Sequence, residues 1–147
     1  MPTDLWSFAL TCYARPGVEQ ACLRLQDGGA DVCLLLCALW LERRRITCDA
    51  QRLAQLQVVA AHWQQQVVGP LRKLRRSWKN DSAADPALAQ LRERIKALEL
   101  DAERELLGRL EEVAQKWQAT DDAVAWLEQL VSDRDARELL RAAASQA

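Results

Sequence analysis

Two long stretches of the chain repeat their apolar residues every three or four positions. In residues 50–79 they are Leu53, Leu56, Ala60, Trp63, Val67, Leu71, Leu74 and Trp78. In residues 86–118 they are Leu88, Leu91, Ile95, Leu98, Ala102, Leu106, Leu110, Val113 and Trp117. This period predicts two helices with one coiled-coil-like seam each. Both seams carry extra steps of four in the middle, which locally unwind a supercoil and let the two helices stay in contact. The segment between them, "NDSAAD" (80–85), is short and polar, and Asp85-Pro86 supplies an N-cap followed by Pro at the first helical position. An antiparallel hairpin over residues 49–118 follows, pairing Leu53 with Trp117, Trp63 with Leu106, Leu71 with Leu98 and Trp78 with Leu91. Each arm of roughly thirty residues would span about 45 Å. Gly69-Pro70 is expected to kink the first arm, because Pro70 has no N–H to give the Gln66 carbonyl.

Shorter patterns precede and follow. Residues 1–46 predict three short helices. The first spans residues 4–14 with Thr3 as its cap, the second spans Val18–Gln26, and the third lies in "ADVCLLLCALWLERRR" (30–45) with Asp31 as its cap. Thr120-Asp121-Asp122 and Ser132-Asp133 predict one or two closing helices over residues 120–145, with Val124, Leu127, Leu130 and Val131 on the first face. No stretch alternates as a strand does. The reading is a single all-α domain over 1–147: a bundle of six to seven helices, the short N-terminal ones packed on the long hairpin.

The stretch 30–45 holds an unbroken apolar run, Val32 to Leu41. A spanning helix needs about 20 such residues, so a buried core helix is expected rather than a membrane segment. Cys33 and Cys37 lie on one face of it, yet Cys12, Cys22, Cys48 and His62 supply no CxxC or paired-His spacing to complete a metal site. The cysteines are read as small core hydrophobes, with no metal or other cofactor. Five cysteines and no secretory leader predict reduced thiols in a cytoplasmic protein. Nucleophile-elbow, P-loop, dinucleotide and zinc-protease motifs are missing, and the lone His62 has no neighbouring nucleophile. The expectation is a protein that is not an enzyme.

Charge adds one more feature. The net charge of −1 conceals 11 Lys/Arg against 6 Asp/Glu in residues 1–80, and the reverse excess, 9 against 15, in residues 81–147. Arg72, Lys73, Arg75, Arg76 and Lys79 surround Trp78 near the hairpin tip, and Arg43, Arg44 and Arg45 form a second cluster. With Leu71, Leu74 and Trp78 in the seam, these cations are expected on the outer faces. Three readings stay open: a solvated face pairing with Glu93, Glu99, Asp101 or Glu103, a protein contact, or RNA phosphates with Trp78 stacking on a base.

The N-terminal residues Leu5-Trp6, Phe8, Tyr13, Pro16-Gly17-Val18, Leu25-Gln26, Gly29, Asp31-Val32, Leu34–Leu36 and Trp40 resemble a family of small proteobacterial conserved hypothetical proteins, a domain of unknown function. The resemblance covers about residues 5–45, and Cys33 stands where family members often carry Asn. It implies no catalytic residue or cofactor. The neighbourhood of some family genes, beside a translation-type ATP-binding-cassette protein, implies a link to the ribosome. The functional expectation is a cytoplasmic adaptor or regulator that binds a protein partner through helix surfaces; the alternative is an RNA- or ribosome-associated protein using residues 72–79. Leu100 and Leu107 are left over from the seam and suit a homodimer contact.

Overall fold

The computed structural model describes residues 4–122 and 124–147. Seven α-helices make an all-α bundle, and no strand occurs among the described residues. Helices α1 (Leu5–Tyr13), α2 (Val18–Asp27) and α3 (Val32–Arg43) form the N-terminal group. The expected cap Thr3 lies outside the described residues; Asp4 caps α1 by accepting from the Ser7 N–H at 2.7 Å. Asp31 caps α3 through the Leu34 N–H at 3.2 Å. Gly17 enters α2 with φ of 83°, a conformation that favours glycine.

Every residue of α3 from Cys33 to Leu41 is buried. The helix is apolar all round because other elements surround it: α1, α2, α4, α6 and α7 all pack against it. Cys12, Cys22, Cys33 and Cys37 are buried free thiols in this core. Burial pushes the Cys12 thiol up to about 11 and the Cys22 thiol up to about 12, and raises Cys33 and Cys37 as well, so all four stay protonated and unreactive at neutral pH. No helix of the described residues is long and apolar enough to cross a membrane.

The first arm of the hairpin is α4 (Ala50–Trp63), a π-helical turn at Gln64–Val68, and α5 (Gly69–Ser77). The irregularity expected at Gly69-Pro70 is this wider turn, placed just before the proline. Pro70 leaves the Gln66 carbonyl without its usual donor, and the chain answers with a Gly69 N–H bond to the Gln64 carbonyl. Glycine is needed there: a Cβ at position 69 would sit 2.7 Å from that same oxygen. A 3₁₀ turn, Asp81–Ala84, reverses the chain. Asp85 then caps α6 (Pro86–Ala114) through the Leu88 N–H at 3.2 Å. The arms run antiparallel, with Trp63 bonded one helical turn from the Leu106 expected opposite it. Trp63 Nε1 donates to the Ala102 carbonyl at 2.8 Å, and Arg92 Nε donates to the Arg75 carbonyl at 2.9 Å.

The closing segment differs from expectation. α6 stops at Ala114, short of Trp117, whose ring instead stacks on Trp126 with centroids 6.0 Å apart. The helix expected from Thr120 to Val131 reduces to a 3₁₀ turn at Leu127–Gln129. Its polar groups find partners elsewhere. Thr120 N–H bonds the Arg45 carbonyl at 2.8 Å, Trp126 Nε1 bonds the Ile46 carbonyl at 2.7 Å, and Leu127 N–H bonds a Glu42 carboxylate oxygen at 3.0 Å. With those bonds satisfied by the end of α3 and the α3–α4 connection, the segment has no need of its own helix. α7 (Arg134–Ala144), capped by Asp133, closes the bundle.

Candidate functional site

The basic segment divides into two populations. Arg72 and Arg75 lie three residues apart on α5 and turn inward, against the outward placement expected, toward Glu99 of α6, the one buried charged residue among the described residues. Arg75 donates from Nε to Glu99 at 2.6 Å and from an amino nitrogen at 3.3 Å, and Arg72 Nε donates at 3.1 Å. With its amide oxygen toward the guanidinium, Gln26 of α2 accepts from both Arg72 amino groups, at 3.1 and 3.2 Å. Burial tends to raise the Glu99 carboxyl, but the bonds to Arg75 and Arg72 outweigh it and hold the group below its ordinary value. Lys73, Arg76 and Lys79 are the cations that face solvent, and Trp78 is half-buried beside them.

Arg43, Arg44 and Arg45 belong to a different region. Arg43 donates to the Ser145 carbonyl at 2.9 Å, Arg44 lies 4.5 Å from the centre of the Trp40 ring, and Arg45 donates to the Asp121 and Asp122 carbonyls. Arg43 and Arg45 tie the end of α3 to the C-terminal segment. The length of α3, about 18 Å, separates them from Asp31, which shares a cleft with Arg72. Leu107, expected to be free for a second copy, is buried in the core, whereas Leu100 is exposed.

Beyond Glu99 the hairpin becomes a two-helix arm. No residue of α5 is buried, and none of α6 before Glu99. Two helices alone cannot enclose a seam. Leu74, Leu91 and Leu98 are 38%, 48% and 50% exposed, although each belongs to the apolar repeat. Residues 69–98 hold eight Lys/Arg against three Asp/Glu, and two of those cations, Arg72 and Arg75, turn inward to Glu99. Beside the exposed leucines runs a groove of about 480 Å³ lined by Trp63, Val67, Pro70, Leu71, Leu74 and Leu98, with Asp101 and Glu105 as its charged lining. Arg109 covers Trp63 with its guanidinium 3.9 Å from the ring centre.

The opposite face of α6 lines a second hollow. Leu98, Ala102 and Glu105 face the groove, and Leu100, Glu103 and Leu107 face an inner cleft of about 300 Å³ between α1, α2, α3, α5 and α6. Its polar end holds Arg72, Arg75, Glu99, Glu103 and Gln26, and its walls include Trp6, Leu10, Tyr13 and Leu23. Glu103 is half-buried, and burial raises its carboxyl above the ordinary value. Burial likewise raises Asp31 in the neighbouring cleft, where Gln64 of the π turn donates to it at 3.1 Å. Sequence reasoning missed this cleft, since its residues come from five helices; the signal available was an acidic residue, Glu103, on the same helix face as two leucines. Among the described residues, no group of three or more His, Cys, Asp or Glu is placed to hold a metal ion.

A family model described as a protein of unknown function (DUF2390) matches residues 4–110. The chain belongs to that family. The match extends well past the N-terminal residues that carry the resemblance, reaching through the hairpin almost to the end of α6. Both the arm and the whole inner cleft fall inside it, and the closing segment and α7 fall outside. No curated protein and no solved structure matches the chain.

Proposed function

We propose that this member of the family is an adaptor that docks a partner protein on its basic helical arm. The observation that carries the reading is the set of exposed seam leucines, Leu74, Leu91 and Leu98, beside an apolar groove. Leucines half in water at regular helical spacing are the anchors a third helix takes up. The exposed Lys73, Arg76 and Lys79 select the chemistry of that helix. It is amphipathic, with leucine-like residues on one face and acidic residues flanking them. RNA would use the same cations but gains nothing from the leucines, so the apolar surface favours protein.

Photo-crosslinking in the native cell tests this. Arg94 is exposed and lies three residues after Leu91 and four before Leu98, on the same face. A benzophenone amino acid there should give one recurrent protein adduct, and the same group at Glu138 on α7 should not. The purified partner should then bind the chain and lose at least tenfold in affinity on L74S/L98S. An RNA adduct would favour the ribosome-linked reading, an adduct with a second copy would favour a homodimer, and no adduct would overturn docking at the arm.

A further inference from the structure

We propose that the inner cleft binds a small amine, with its ammonium group on Glu103 and its apolar body against Trp6, Leu10, Leu23 and Leu100. The polar end of the cleft contains two guanidinium groups and two carboxylates, unequally partnered. Arg75 gives two N–H bonds to Glu99, and Arg72 gives one to Glu99 and two to Gln26. An incoming carboxylate would find the Nε edges of both arginines already taken by Glu99. Glu103 is the group left over: no donor among the described residues pairs with its side chain.

A half-buried carboxylate without a donor costs free energy, which an ammonium would recover by supplying three N–H groups. The surroundings favour a cation with an apolar body. Trp6, which carries the Arg104 guanidinium 5.1 Å from its ring centre, and Tyr13 line the walls, and the mouth holds the leucines Leu10, Leu23 and Leu100, at 51%, 46% and 54% exposure. The volume of about 300 Å³ suits a single-ring or short-chain amine. A lysine reaching in from another protein carries the same ammonium but no ring to fill the walls. The site lies on the other side of α6 from the arm groove and does not rest on the docking proposal.

The test is titration of the full chain, followed by amide chemical shifts, with phenethylamine, 3-phenylpropionate and Nα-acetyl-lysine amide. Phenethylamine should give saturable shifts in α1 and α6 and bind at least tenfold more tightly than 3-phenylpropionate, with the lysine amide between them or weaker. E103Q keeps the shape and removes the charge, and it should weaken phenethylamine at least tenfold. L23W narrows the mouth without touching Glu103 and should weaken it as well, keeping the test intact if E103Q folds poorly. Tighter binding of 3-phenylpropionate would mark the cleft as an anion site and overturn the proposal. Tighter binding of the lysine amide would assign it to a partner's side chain instead of a free amine. Equal phenethylamine affinity in E103Q, or no saturable shift with any probe, would also overturn it.

Discussion

Arg75 Nε lies 2.6 Å from Glu99 Oε1 at the base of the hairpin arm, and Arg72 reaches the other oxygen of the same carboxylate at 3.1 Å. This junction decides which face of α5 turns to the bundle. Replacing Glu99 by Ala leaves two guanidinium groups, only 17% and 24% exposed, without their anion. The expected cost is about 2 kcal/mol, reduced from the fully buried case because water still reaches both arginines. Urea unfolding checks it. The double variant R75A/E99A should lose less than the sum of the two single variants.

The π turn makes a local prediction. Gly69→Ala drives a methyl against the Gln64 carbonyl, where the present approach would be 2.7 Å, so G69A should lose about 1–3 kcal/mol. Gly108 is also helical but has no heavy atom within 4 Å of an added Cβ. Gly108→Ala should be neutral or gain up to about 1 kcal/mol. Thermal melts of the pair separate helix propensity from the close contact.

Trp126 is fully buried and anchors the closing segment on the Ile46 carbonyl. W126A should cost about 3–5 kcal/mol through the cavity it leaves. W126F keeps most of the ring but removes the N–H, and should cost about 1–3 kcal/mol for the orphaned carbonyl. Chemical denaturation of both variants measures the difference.

Acid should weaken the attachment of α7. Its Arg141 bridges Glu42 and Glu128, and the bond from Arg141 holds the Glu128 carboxyl down to about 2. A folded-state value below the unfolded one means that this contribution is fully present above about pH 4.5 and lost as pH falls toward about 2. Glu103 and Asp31, raised by burial, work with the opposite sign and are relieved as they protonate. Stability followed from pH 6 to pH 2 should fall, and R141A should flatten that acid branch. E103Q, free of a charge that burial disfavours, should melt no lower than the unaltered chain.

Much of the architecture was legible in the order of residues. The paired seams, the Asp85-Pro86 start and the apolar run of α3 each depend on near neighbours, so the pattern alone carries them. The closing segment was not legible. Its apolar spacing suits a helix, and only the partners offered by Glu42, Arg45 and Ile46 make an irregular path better. The basic segment was half legible. Glu99 was among the acidic residues expected to face it, but the inward turn of Arg72 and Arg75 depends on where α2 and α6 meet the arm. The inner cleft, drawn from five helices, has no local trace in the sequence.

The central claim is that the arm leucines serve docking rather than folding, and one pair of variants tests it most directly. L91S/L98S, made with the photo-crosslinker at Arg94, removes two half-exposed anchors. The account predicts that the variant stays folded, losing no more than about 2 kcal/mol in urea, while the protein adduct disappears. A folded variant that still yields the adduct would contradict it.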